Sequence, residues 1–314
     1  MAELEIIRYT PSMKKEWDDF ISRSKNGTFL LRRDYMDYHS DRFADHSLLF
    51  LKGGSIQAVM PACLTGSTLA AHGGLTYGGY VMSRKTTTGD TLRFFTALKD
   101  NLRKEGITEL KIKPVPHIYH DIPAEEDLYA LFRIGARLTV RNVSAAIYMP
   151  DRPVFRKDRK AGARRAASNG ISVCESTDFA AFWDILQDNL RMKYAATPVH
   201  SLNEMASLAE KFPSNIKLHL ALSPSGIPLG GTVVFINRRV VHTQYISATQ
   251  EGKQLGAIDI IFQHLIDETY PDCLYFDFGT SNEDGGRVLN ETLICQKEGF
   301  GARAVCYDTY SLRL

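Results

Sequence analysis

The order of elements written into this chain repeats once, and that repeat limits its fold more than any single motif. Hydrophobic period, turns and caps predict the same series in residues 1–150 and 151–314, namely β-α-α-β-β-β-α-β-α-β. In the first half a strand near 3–9 leads to helices near 12–24 and 33–40. Strands follow near 47–52, 56–64 and 67–72, then helix 88–105, strand 108–113, helix 124–134 and strand residues near 136–149. The second half opens on a basic helix at 153–169. Strand 171–175, helix 178–193 and helix 201–211 come next, the last announced by the capping-box pair Ser201 and Glu204. Strands 215–222, 228–236 and 239–248, helix 255–270, strand 273–278, helix 285–297 and strand 303–313 complete it. A period of about 160 residues is far too long for a solenoid. Two homologous α/β domains, each a mixed sheet carrying helices, account for it, with the cut at 150/151.

Bulk composition excludes several classes. A net charge of +2 makes no global case for nucleic acid or membrane binding. Seven Lys/Arg against two Asp nevertheless crowd into residues 151–170. Five scattered cysteines, odd in number and without a C-x-x-C pair, offer no disulfide framework and fit a reducing compartment, four of them in apolar contexts that predict buried thiols. The start Met1-Ala2-Glu3-Leu4-Glu5 lacks the basic and apolar regions of a signal peptide, and no apolar run approaches the roughly 18 residues of a membrane span. A cytoplasmic protein without a span is expected. His117 and His120 lack a third ligand at informative spacing, so no metal site is expected.

The last forty residues hold the densest chemistry. Tyr275-Phe276-Asp277-Phe278-Gly279-Thr280-Ser281 is followed by Leu289-Asn290 and then by Gln296-Lys297-Glu298-Gly299-Phe300-Gly301-Ala302. A strand ends at an Asp-Phe-Gly turn, and a helix closes on a Lys beside a Gly-Phe-Gly kink. This stretch resembles the C-terminal motif of the Fem-like acyltransferases of the GNAT superfamily, and the doubled element order is similar to a tandem GNAT fold. The resemblance implies activated acyl donors and amine acceptors. It implies a catalytic second copy, since the first has Phe132-Arg133-Ile134-Gly135-Ala136 where the second has its Lys-x-Gly-Phe-Gly. It also places Lys297 at the acceptor site, where a fixed positive charge stabilises an oxyanion. The plain alternative for Lys297 is a cation complementing a helix C-terminus.

Other candidates surround it. Strict alternation along 240–248 puts Thr243, Tyr245 and Ser247 on one face and His242, Gln244 and Ile246 on the other. The resemblance gives the following loop, Thr249 to Ala257, the task of holding the pyrophosphate of acetyl-CoA or another acyl-CoA, with Ser247, Lys253, Gly256 and Ala257 at the cofactor. Free N–H groups and a helix dipole favour an anion there. The loop has Lys first and Ile258 last where the family pattern has Gln/Arg and Gly/Ala, and an ordinary helix start is the competing reading. Lys193, Tyr194 and His200 flank a loop where GNAT folds shape an acceptor pocket. His200 has the pKa range of a general base, or else simply packs beside a helix cap. Glu283 accepts a proton from the attacking amine or opens a helix. Ser281 and Asn290 sit between the two parts of the motif, and Gln244 joins them as substrate-binding candidates. Arg156, Lys160 and Arg164, spaced four apart, share a helical face that is either solvated or lines a groove for phosphates.

The expected reaction is direct acyl transfer from acyl-CoA, or alternatively from aminoacyl-tRNA, to an amine of a cell-wall or nucleotide-sugar-type acceptor such as a peptidoglycan precursor. His200, Glu283 or water takes the proton, backbone amides near Gln244–Ser247 and Lys297 hold the oxyanion, and Tyr245 donates to the leaving group. The competing class is a non-catalytic tandem GNAT that binds a nucleotide-linked ligand.

Overall fold

The computed structural model describes residues 3–194 and 196–314. The chain forms two compact units that interleave in sequence. One comprises 1–143, 282–288 and 306–314, and the other 144–281 and 289–305. The boundary falls near 143/144 instead of 150/151, because two long strands continue through it and the first unit takes back the chain's last residues.

In the first unit, β1 (Leu4–Arg8) is followed by α1 (Lys14–Arg23) and the one-turn α2 (Arg33–Met36). Strands β2 (Leu48–Lys52), β3 (Ser55–Met60), β4 (Cys63–Thr65), β5 (Thr68–Ala70) and β6 (Val81–Met82) come next. Then α3 (Thr88–Lys104), β7 (Glu109–Ile112), α4 (Glu126–Ile134) and β8 (Arg137–Tyr148) follow. The predicted strand 56–64 is broken into β3 and β4 around Pro61. Strands β1, β2, β3 and β6 form an antiparallel sheet. Thr87 caps α3 by accepting from the amide of Asp90. Apolar residues at helical spacing on α3 pack Phe94 onto Phe50, with ring centroids 5.4 Å apart.

The second unit carries α5 (Lys157–Ser168), β9 (Ser172–Ser176), α6 (Phe179–Tyr194) and α7 (Leu202–Lys211). Strands β10 (Ile216–Leu222), β11 (Pro228–Ile236) and β12 (Val240–Ala248) precede α8 (Gln250–Leu255), α9 (Ala257–His264) and β13 (Tyr275–Thr280). Two-residue strands β14 (Asn282–Glu283), which belongs to the first unit, and β15 (Val288–Leu289) lead to α10 (Glu291–Glu298) and β16 (Arg303–Arg313), whose residues from Cys306 onward belong to the first unit. Strands β9 to β12 are antiparallel neighbours, β12 and β13 are parallel, and residues 144–148 of β8 pair with β13. The capping box at Ser201 and Glu204 is present, and Asp178 caps α6 through the amide of Ala181 at 3.0 Å.

Two predicted helices are cut. The stretch 255–270 breaks at Gly256, which has φ +87 and ends α8. A Cβ there would lie 2.3 Å from the carbonyl oxygen of Gly162 in α5, so the glycine also allows two helices to touch backbone to backbone. The stretch 285–297 becomes helical only from Glu291, because Gly285 and Gly286 both hold positive φ. All five cysteines are unbridged, and only Cys63 is buried. Cys295 and Cys306 are exposed because each lies on the outward side of its helix or strand. Among the described residues, no helix is long and apolar enough to cross a membrane.

Candidate functional site

The second unit opens where its two parallel strands part. β12 and β13 pair only through Val240↔Tyr275, Val241↔Phe276 and His242↔Asp277. Beyond that point both strands are irregular. On β12, Thr243 and Tyr245 oppose the adjacent residues Val234 and Val233, so Gln244 is an inserted residue. On β13, the register slips between Asp277 and Thr280 against Ala146 and Ser144, so Phe278 and Gly279 bulge as well. Gly279 holds φ +74, which only glycine adopts without strain.

A cleft of about 290 Å³ occupies this opening. Ile246, Ser247 and Ala248 line it from β12, Phe278 from β13, Leu186, Asn189 and Leu190 from α6, and Lys297 and Phe300 from α10 and its end. Lys297 is buried and donates from Nζ to the carbonyls of Gly279 at 2.9 Å and Thr280 at 2.8 Å. An ammonium has three protons, so one remains for a ligand. Burial lowers the Lys297 pKa from 10.5 to about 8, opposed by the carboxylate of Asp277.

Asp277 is fully buried and organises the turn that holds Lys297. It bonds His242 Nδ1 at 2.8 Å, accepts from Ser144 Oγ at 2.5 Å and accepts the Gly279 amide at 3.1 Å. Next to the turn, Ser281 Oγ is buried without a hydrogen-bond partner among the described residues. Polar atoms at the other end of the cleft satisfy one another. Asn189 Nδ2 donates to Ser247 Oγ at 2.9 Å and to the Ala248 carbonyl at 2.8 Å, and Asn189 Oδ1 accepts from Lys253.

Comparison with known proteins bears on the fold. The protein-family model for an acetyltransferase (GNAT) domain matches residues 153–284. Among solved structures, the crystal structure of FemX superposes with a TM-score of 0.71 at 12% identity, covering 99% of this chain and 97% of that one. Residues 153–284 are a GNAT domain, and the whole chain has the Fem-like tandem-GNAT fold. L-PGS from Bacillus licheniformis superposes with a TM-score of 0.64 at 10% identity, covering 98% and 92% of the two chains. A tandem GNAT protein from the clavulanic acid biosynthesis pathway gives 0.51 at 12% identity, covering 99% and 98%. No curated protein matches the sequence.

Within the second unit, the structure gathers Lys297, Ser247 and Lys253 at one cleft and puts Gln244 on the bulge beside it. It moves other candidates elsewhere. The β12 bulge resets the alternation, so Thr243 and Tyr245 fall on opposite faces instead of the same one. Tyr245 packs on Trp183 of α6, with ring centroids 5.2 Å apart. Its hydroxyl is 2.7 Å from His200 Nδ1 and accepts the His200 amide at 3.2 Å. Neither residue lines the cleft, so the pair ties the 199–201 loop to the sheet, and burial raises the Tyr245 pKa.

Gly256 and Ala257 are buried under α5, and the amides of Gly252, Lys253 and Gly256 are taken up by Thr249 and Gly252. Asn290 is the N-cap of α10, accepting from the Leu293 amide at 3.0 Å. Glu283 is exposed in β14 and belongs to the first unit. It begins no helix. Arg156 is the N-cap residue of α5 and its guanidinium meets Asp158 and the sulfur of Cys295. Lys160 and Arg164 instead line a separate cleft of about 370 Å³ with Arg152, which is paired with Asp267 at 2.6 Å. Thus the predicted stripe is divided, since its first member precedes the helix. Lys193 and Tyr194 close α6, and their side chains lie outside the described residues.

Sequence reasoning missed Asn189 and the Asp277–His242 pair. Asn189 had a signal, because it interrupts the apolar stripe Phe182, Leu186, Leu190 of α6. The pair had none, because its members meet only through the parallel pairing of β12 with β13.

Proposed function

We propose that the second unit transfers an acyl or aminoacyl group from an activated donor to an amine, with the reacting carbonyl held at the cleft beside Lys297. One observation carries this reading. A buried ammonium, braced by two backbone carbonyls, faces the gap opened by two bulged strands. That is a preorganised positive charge held largely out of solvent, which stabilises the oxyanion of a tetrahedral intermediate more than it would in water. The amine attacks the carbonyl carbon, the oxyanion forms between Lys297 and amides freed at the Gln244 bulge, and the carrier leaves with the electron pair. The protonated amine loses its proton to water, because neither His200 nor Tyr245 lines the cleft.

The donor's carrier is either coenzyme A or tRNA. The helical turn at 249–257 weakens the first in its usual pose, while Lys160 and Arg164 offer cationic positions for phosphates of either. An amine of a cell-wall or nucleotide-sugar precursor suits the acceptor role, in keeping with the FemX likeness. The reading is tested by thermal-shift screening of acyl-CoAs, charged tRNA and nucleotide sugars, followed by turnover with whichever donor binds. Lys297→Met is expected to lower kcat by about 10²–10³ with KM little changed. Unchanged turnover rejects the electrostatic role. A response to nucleotide sugars alone favours a binding protein without catalysis.

A further inference from the structure

We infer that the cleft beside Lys297 accepts an uncharged, apolar acyl group and rejects acyl groups that carry an ammonium. The inference rests on the acyl-transfer reading of the same cleft and names the class of group transferred. Its wall is a packed aromatic set. Phe262 lies 4.9 Å from Phe278 and 5.3 Å from Phe300, and Phe278 stacks on Phe300 at 5.6 Å. All three are buried, so the surface they present is fixed before a ligand arrives. Ile246, Ile258 and Leu190 continue the apolar lining.

The charges point the same way. Among the described residues, Lys253 and Lys297 are the charged residues of the lining, and no carboxylate is among them. The nearby Asp277 is occupied by His242, Ser144 and the Gly279 amide. Asn189, the one polar residue deep on α6, already gives Nδ2 to three acceptors and Oδ1 to Lys253. A ligand ammonium would therefore find no opposite charge in the described lining and two cations of its own sign, with only neutral acceptors such as the Gln296 side-chain carbonyl to meet it. For an α-aminoacyl group the conflict is sharpest, because its ammonium sits two bonds from the carbonyl that must face Lys297. Desolvating a charge without a partner is strongly unfavourable. The volume, about 290 Å³, sits at the small end of ligand pockets and suits a short or medium chain.

Carrier-free probes separate this from the identity of the donor. The N-propylamides of hexanoic acid, 6-aminohexanoic acid and leucine are titrated into the full chain at pH 7 and followed by protein NMR. The hexanoyl amide is expected to bind at least about 10-fold tighter than either cationic probe, given the cost of an unpaired buried charge. It should shift signals of α6, β12 and α10. In Leu190→Asp, at the half-buried edge of the lining, the order is expected to reverse. Equal or tighter binding of the leucine or 6-aminohexanoic amide to the wild-type chain overturns the inference, and so does absence of hexanoyl binding at the cleft. These outcomes are independent of the Lys297→Met turnover test. Failure there removes the catalytic reading while this binding order stands.

Discussion

Lys297 makes a prediction whose size follows from its surroundings. Burial moves its ionisation from the ordinary 10.5 to about 8. The side chain is only 6% exposed, so solvent screening does little to reduce the effect. At about 1.4 kcal/mol per pH unit, that difference corresponds to about 3 kcal/mol. Below pH 8 both native and unfolded chains carry the proton, and the native one bears the cost of a buried ammonium. Between pH 8 and 10.5 the unfolded chain keeps the proton while the native chain has lost it. Stability therefore rises with pH across that window. Lys297→Met removes the titration. Guanidinium denaturation of both proteins at intervals from pH 7 to 10.5 cancels other titrating groups in the difference. The wild type is expected to gain up to about 3 kcal/mol on the variant from pH 8 to 10.5. Turnover should mirror this with opposite sign. A reaction that needs the ammonium falls above pH 8, whereas Lys297→Arg, charged throughout, lacks that limb. Parallel stability curves would refute the buried-ammonium argument, whatever the activity shows.

Three further outcomes follow from other contacts. Asp277→Ala leaves His242, Ser144 and the Gly279 amide without their shared acceptor, and at about 1–3 kcal/mol for each buried unsatisfied group it is expected to cost at least 3 kcal/mol by urea unfolding. Tyr245→Phe removes both bonds to His200 and is expected to cost about 1–3 kcal/mol, with faster amide exchange confined to 199–201 and transfer activity retained. Activity lost in step with the Tyr245 hydroxyl would instead restore its catalytic role. Gly256→Ala meets a left-handed φ and the Gly162 carbonyl 2.3 Å from the new Cβ, and is expected to lose more than about 2 kcal/mol in thermal unfolding.

Much of the fold was legible because it is local. Strands β10, β11 and β12 and helices α3, α6 and α7 fall within two residues of their predicted spans, since alternation, helical period and caps such as Ser201 act over a few residues. Glycine was the hardest signal to read. In the sequence Gly256 fits a phosphate loop as well as a helix junction, and only the tertiary structure shows the backbone of Gly162 lying against it. Gly285 and Gly286 delayed α10 by six residues and turned Asn290 from a ligand candidate into a cap. The period of β12 misled for a related reason. A bulge costs one residue of register and leaves no mark in the sequence Val240 to Ala248, yet it moves Tyr245 to the opposite face from Thr243.

The sequence alone determined that there are two α/β units, that the second carries the Lys-x-Gly-Phe-Gly segment, and that Lys297 deserves first attention. These depend on periodicity and on residues within one segment. Tertiary structure alone decided what surrounds that lysine. Its two carbonyl partners lie 17 and 18 residues away, Phe278 and Phe300 line the same cleft, and the carboxylate under its turn is held by a histidine 35 residues distant. Whether a lysine is a surface cation or a desolvated ammonium depends on which groups surround it in space. That is settled when β12 and β13 pair for three residues and then part.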